Sequence, residues 1–230
     1  MPEAHPPILL AMTRTPLLAI ALAETGGHDD HSGHSSHSGH SGHSDFDGLR
    51  LRPLPEEVAR LLDRLDAPPR LVAHLRAVHE VAGQLVDWLT RSRPALAFDG
   101  SAVLFGAATH DIGKIWHPAE LSGPGSSHEE AGRELLLRHG VSPALARFAG
   151  THARWDGAGI EVEDLLVSLA DKVWKDKRVP ELEDLVVAHL AAAGGRAAWQ
   201  EFLELDEVLS GIGEGAGARL AYQAAYPVHG

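Results

Sequence analysis

His110 and Asp111 stand side by side at the end of an apolar run, Ala102-Val103-Leu104-Phe105-Gly106-Ala107-Ala108, that reads as a buried helix. Burying an imidazole and a carboxylate without partners costs several kcal/mol, and a bound cation removes that cost. Groups of the same kind recur on the apolar sides of other helical stretches: His74, His128, His152 and Asp171. Any one of them alone is an ordinary core polar residue. On successive helices that must pack their apolar faces together, they are expected to converge. Imidazole nitrogen and carboxylate oxygen suit manganese, iron, zinc or magnesium, and a carboxylate next to a His can bridge two ions. The chain has no cysteine, so any metal must be held by these groups.

The elements that would position them follow from apolar spacing. After Pro55, Glu56 to Leu62 reads as a short helix with acids in its first turn, stopped at Ala67-Pro68-Pro69. A long helix is expected from about Arg70 to Leu89, with Leu71, His74, Val78, Val81 or Ala82, and Leu85 in line at three- and four-residue steps. His79 lies off that line; it could support a metal ligand from behind, but its off-face position favours a solvated residue. Beyond the run that ends at His110, Ser126 and Ser127 precede Glu129 and Glu130 in overlapping capping-box registers, which starts a helix near His128. It stops at His139-Gly140. Ser142 and Pro143 open the next helix, which carries Leu145, Phe148 and His152 on one face. Asp171 lies between Val167 and Trp174 on the apolar face of a helix from about Val162 to Lys175. Further helices are expected over Glu181 to Ala193, Ala197 to Ser210 and about Ala216 to Ala225, with Gly194-Gly195 and Gly211 to Gly215 as breakers. No strand alternation is visible, so the fold class is all-α.

The chain is 230 residues long with a net charge of −12, and its few Lys and Arg form no cluster. Sequence-general nucleic-acid binding needs a basic footprint and is disfavoured. An acidic chain can still handle phosphorylated substrates where metal ions supply positive charge. Residues 1–48 read as a leader and residues 49–230 as the folded domain. From His28 to Ser44 the leader repeats His-Ser-Gly-like triplets, with His31, His34, His37, His40 and His43 evenly spaced. Such a stretch has no apolar face to offset ordering entropy, so it is expected to be disordered. Its imidazoles could capture metal weakly, although composition favours a leader with no role. Pro16 to Ala23 loosely resembles a secretory core, but its charged flank is thin and the run short. With no stretch long enough to span a bilayer, a cytoplasmic location without membrane partners is expected.

His74 with Val78 and Ala82, then His110-Asp111-Ile112-Gly113-Lys114, then Ala170-Asp171-Lys172, resemble the HD-domain metal-dependent phosphohydrolase superfamily over about Leu71 to Lys175. The resemblance implies a helical bundle in which His74, His110, Asp111 and Asp171 hold a primary metal. It also implies that His128 and His152 serve a second metal bridged by Asp111, and that Lys114 faces the phosphate. The turn Thr151 to Ile160 is similar to the HD-GYP subgroup but lacks its second His and its Tyr-Pro. The residues after Gly113 are not the acidic pair associated with guanosine tetraphosphate hydrolases, so both of those substrates are disfavoured.

The expected chemistry is hydrolysis of a phosphate ester or anhydride on a nucleotide or other small phosphorylated metabolite, with one or two divalent cations (Mn, Fe, Mg or Zn) activating water. Asp111 and Lys114 are the catalytic candidates, Lys114 stabilising negative charge on non-bridging oxygens. Lys114, His117 and Arg154 are the candidate substrate contacts; His117 could equally be a plain loop residue, and Arg154 an exposed one. Two alternatives carry weight: a di-iron oxygenase of similar ligand set, and a metal-stabilised binding module without catalysis.

Overall fold

The computed structural model describes residues 49–228. The expectations for residues 1–48, a disordered His-rich leader included, lie outside the described residues. Among the described residues the chain is all-α, with no strand. Helices α1 (Glu56–Arg64), α2 (Pro69–Ser92), α3 (Gly100–Thr109), α4 (Ser127–Arg138), α5 (Pro143–Thr151), α6 (Val162–Val173), α7 (Pro180–Gly194), α8 (Ala198–Glu214) and α9 (Ala216–Ala224) follow one another, with 3-10 turns at Ile112–Ile115 and Pro118–Leu121. No helix among the described residues is long and apolar enough to cross a membrane.

Two apolar clusters share the long helix α2. Its C-terminal half, through Val78, Leu85 and Leu89, packs with Val103, Phe148, Leu166, Leu169 and the inner faces of α7 and α8. Its first turns, through Leu71 and Leu75, join Val58, Leu61, Phe105, Ile112, Leu135 and Ala149. At about 25 cal/mol per Å² of apolar surface removed from water, each fully buried Leu or Phe contributes roughly 1.5–3 kcal/mol.

Close crossings at glycines set the spacing. A Cβ on Gly106 would fall 2.7 Å from both Phe148 Cγ and Val167 Cγ2, so α3 meets α5 and α6 at near-backbone distance. The end of α5 is clamped to the start of α6 by Asp164, which is 1% exposed. Its carboxylate accepts from Thr151 Oγ1 at 2.7 Å and from Arg147 Nε at 3.1 Å. His152 follows Thr151 directly, so this clamp fixes where α5 delivers its imidazole.

Helix α8 departs from the expectation. It runs through Gly211 and Gly213 to Glu214 rather than stopping at Ser210. Each interior Gly costs roughly 1 kcal/mol of helix propensity, but Leu209 and Ile212 are buried on the core face. Arg219, itself buried, donates to the Ile212 carbonyl at 2.7 Å. Tertiary burial outweighs local preference there.

Candidate metal centre

Five successive helices deliver the six donors. His74 comes from the first turns of α2 and His110 from the C-cap of α3; Asp111 immediately precedes the first 3-10 turn. His128 lies in the first turn of α4, His152 at the C-cap of α5 and Asp171 in the last turns of α6. All six are buried, none more than 7% exposed. They fall into two sets whose candidate ligand atoms lie within 4.8 Å of one another: His74, His110 and Asp171, and Asp111, His128 and His152.

Asp111 faces both sets. Its Oδ2 lies 3.0 Å from His74 Nε2 and 3.6 Å from His110 Nε2, while its Oδ1 lies 2.9 Å from His128 Nε2 and 3.5 Å from His152 Nε2. Asp171 Oδ1 closes the first set at 3.4 Å from His110 Nε2 and 3.8 Å from His74 Nε2. The edge of Trp174 packs against the His74 ring, with centroids 4.9 Å apart.

Three of the four imidazoles have their far nitrogen engaged. His110 Nδ1 donates to the Ala107 carbonyl and His152 Nδ1 to the Ala149 carbonyl, both at 3.0 Å. A carbonyl can only accept, so in the neutral ring each Nε2 carries a lone pair aimed inward. His128 Nδ1 is held 2.5 Å from Glu120 Oε2. That is the carboxylate–histidine arrangement which orients a metal-ligating ring.

The Ser126 and Ser127 side chains do not cap α4. Glu120, from the second 3-10 turn, takes over that role by accepting from the Ser127 and His128 amides at 3.2 Å each. No local signal marks Glu120, because its partners lie seven and eight residues on and are reached only when the Pro/Gly-rich loop folds back.

The protonation states of both carboxylates and of His74 and His152 suit a cation, whereas at His128 burial lowers the pKa but Asp111 and Glu120 outweigh it and raise it. Burial pushes the Asp111 carboxyl up, but His110, His128, His74 and Lys114 outweigh it and hold it well below the ordinary carboxylate range. Burial likewise raises Asp171, and His110 and Lys172 bring it below its usual value. Burial lowers His74, and lowers His152 to about 4. Ionised carboxylates and neutral imidazoles are the forms that donate electron pairs to a metal. His128 Nε2 gives the most direct sign of fit. It is buried without a hydrogen-bond partner although Asp111 Oδ1 is 2.9 Å away, so the two atoms are close but not aligned for a hydrogen bond. His74 Nε2 and His110 Nε2 lie 3.3 Å apart, within hydrogen-bond reach of each other, whereas a buried nitrogen such as His128 Nε2, left without a partner beside a carboxylate oxygen, is what a shared cation would satisfy.

A cavity of about 230 Å³ opens beside the cluster, lined by His74, Asp111, His128, His152 and Asp171 together with Lys114, Lys172 and Lys175. Lys114 Nζ donates to Asp111 Oδ2 at 2.5 Å, and Lys172 Nζ to Asp171 Oδ2 at 2.6 Å. The sequence assigns Lys172 no role beyond its place in the Ala170-Asp171-Lys172 stretch and does not mark Lys175 at all; adjacency along the chain says nothing about which cavity a side chain enters. His117 is half-buried on the loop after the first 3-10 turn and is not among the residues lining the cavity. Arg154 is also outside the lining, its exposed guanidinium bound to Glu129, which does line it. His79 was expected to be solvated. It is 3% exposed, and it lies away from the cavity, near Arg52 and Glu80.

The family model for the HD domain matches residues 71–174, a span that holds all six donors. No curated protein matches the chain, and no solved structure does. HD domains bind divalent metals and are generally hydrolases, and the two buried His/Asp sets are the candidate ligands here. Residues 71–174 are thus the part of the chain that is similar to the HD domain, and the whole buried His/Asp cluster lies within them.

Proposed function

We propose that this protein is a metal-dependent phosphohydrolase that cleaves a phosphate ester or anhydride of a nucleotide or other small phosphorylated metabolite. The observation that carries this reading is the division of Asp111 between two buried donor sets, next to an ammonium group at the cavity wall. His74, His110 and Asp171 would hold one divalent cation and His128 and His152 a second, with Asp111 shared. A cation held there supplies Lewis acidity, which activates water and offsets charge on phosphoryl oxygens.

The chain's own residues account for the rest. The Nδ1 bonds of His110, His128 and His152 lock ring orientation before substrate arrives, so no reorganisation is needed during the reaction. Lys114, with a side chain 17% exposed, is positioned to bind a non-bridging oxygen and stabilise charge that grows there. Trp174, packed against the His74 ring, shields that imidazole from bulk water.

A di-iron oxygenase could use the same donors. The lysines on the cavity favour an anionic phosphorylated substrate, and hydrolysis is therefore the stronger reading. Metal analysis of the purified protein, combined with a phosphate-release screen over nucleotides, tests it. Phosphate release that disappears in His110→Ala and Asp111→Ala, with reduced metal content in both, is the expected result. Retention of full metal content and full rate by Asp111→Ala would overturn the reading. Iron with dioxygen uptake and no phosphate release would replace it with oxygenation.

A further inference from the structure

The chain contains only four lysines, at positions 114, 172, 175 and 177, against sixteen arginines. Three of the four line the cavity beside the His/Asp cluster. Elsewhere the cationic work is done by arginine: every ion pair outside this centre that involves a permanent cation uses Arg, among the described residues. The two side chains are not equivalent. Lysine is a compact, mobile point charge with three donors, whereas arginine is a broad planar fork. A small cavity that must seat phosphoryl oxygens beside metal ions favours the former.

The plain alternative is that Lys172 and Lys175 sit near the C-terminal end of α6 for the sake of the helix dipole. Arginine would serve the dipole equally well, and this chain uses it four times as often. Position also separates the roles. Lys172, in the last turn of α6, and Lys175, in the turn just beyond it, both line the cavity, whereas Lys177 does not. Their ammonium groups rest over aromatic rings, Lys172 over Trp155 and Lys175 over Trp174, each 5.8 Å from the centroid. An aromatic face holds an ammonium without cancelling its charge, as a carboxylate would; Lys172 is also paired with Asp171 at 2.6 Å, so the uncancelled charge is that of Lys175. Lys175 has no carboxylate in ion-pair range among the described residues, so its charge is available to a ligand.

The local charge balance points the same way. The carboxylates on the cavity are Asp111, Glu129 and Asp171, and Glu129 is already paired with Arg154 at 3.0 Å. Against them stand three ammonium groups, so the cavity is not negative although the chain carries −12. One or two divalent cations would make it strongly positive. At about 230 Å³ it is smaller than the roughly 300–1,000 Å³ of pockets that enclose a whole small molecule. A compact, multiply charged head group fits that description, with the rest of the substrate outside.

We propose that Lys172 and Lys175 bind a second phosphoryl group next to the one that Lys114 and the cluster act on, so that the substrate is a condensed phosphate of two or more units and not a lone phosphomonoester. This rests on the phosphohydrolase reading of the same cavity. It adds two substrate-binding residues and narrows the substrate class.

The test is calorimetric binding of inorganic pyrophosphate and of orthophosphate to the metal-loaded protein and to the chelator-treated protein. It compares wild type, Lys175→Gln and Lys177→Gln, the last being an equal loss of charge outside the cavity. Wild type is expected to bind pyrophosphate at least tenfold more tightly than orthophosphate. Lys175→Gln should lose fivefold or more for pyrophosphate and little for orthophosphate, while Lys177→Gln stays like wild type. Equal weakening in the two variants, or no preference for pyrophosphate in wild type, overturns the proposal. The two readings fail separately. Phosphate release that depends on Asp111 but favours monoesters, with KM for diphosphate esters unaltered by Lys175→Gln, sinks this inference alone. Lys175-dependent pyrophosphate binding without hydrolysis of any phosphate compound keeps the binding site and sinks the hydrolase.

Discussion

Gly113 is pressed against the backbone of His128: a side-chain carbon added at Gly113 would overlap the His128 carbonyl oxygen and lie 2.5 Å from the Gly132 amide nitrogen. Gly113 does not occupy the left-handed region, so the demand for glycine here is steric and not conformational. The same approach lets the first 3-10 turn and α4 bring Asp111 Oδ1 within 2.9 Å of His128 Nε2. We expect Gly113→Ala to push α4 away, at a cost of about 1–3 kcal/mol typical of overpacking a tight contact. Metal content should fall along with the thermal midpoint. Atomic emission analysis beside a melting curve measures both, and a variant with lower stability but full metal content would show that the crossing does not set the site.

Glu120 orients His128 from outside the cluster. The hydrogen bond from His128 draws the Glu120 carboxyl below its ordinary range, against an opposing pull from desolvation. Glu120→Ala removes both the ring's orienting partner and the acceptor for the Ser127 and His128 amides. Loss of such a supporting carboxylate typically weakens metal affinity by roughly 10- to 100-fold. Competition against a chelator should show that weakening for only part of the bound metal, since the His74, His110 and Asp171 set does not touch Glu120. Glu120→Gln, which keeps an acceptor, should recover part of the loss.

His79 makes acid stability testable apart from the metal centre. Burial and the neighbouring Arg52 guanidinium lower its pKa to about 4, against a partial opposing pull from Glu80. The imidazole is therefore neutral in the folded protein down to about pH 4, while the unfolded chain takes up its proton near pH 6.5. Its contribution is intact above pH 6.5 and is lost as the pH falls towards 4, by up to roughly 3 kcal/mol. His79→Gln should flatten that part of the stability curve. Urea denaturation at pH 7, 5.5 and 4.5 measures the slope, and an unchanged slope in the variant would assign the acid loss elsewhere.

Asp164 serves the site at one remove. It is buried, and it gathers Arg147, Thr151 and the Glu161 amide at the junction of α5 and α6. Truncating one partner of a buried, hydrogen-bonded ion pair costs about 3–5 kcal/mol. Because the Arg147 side chain is 25% exposed, we expect Asp164→Ala to lower the unfolding free energy measured in urea by up to about 3 kcal/mol and to loosen the end of α5, which carries His152. Asp164→Asn, which keeps an acceptor for Thr151, should lose less stability and retain more metal.

The donors and the helices that bear them were legible in the chain, because amphipathic spacing and caps are local. His74 on the α2 line, the His110-Asp111 pair closing α3, Gly140 ending α4 and Pro143 opening α5 all follow from residues within a few positions of one another. What local pattern could not supply were relationships between elements. The capping of α4 by Glu120 instead of Ser126 or Ser127, the run of α8 through Gly211 and Gly213, and the burial of His79 each depend on what packs alongside. The same holds for the division of Asp111 between two donor sets and for the entry of Lys172 and Lys175 into the cavity. Sequence alone determined which groups could meet, through periodicities of three and four residues. Only the packed helices decided which oxygen faces which ring, because that orientation is fixed by close approaches between segments far apart in the chain, such as Gly113 against His128.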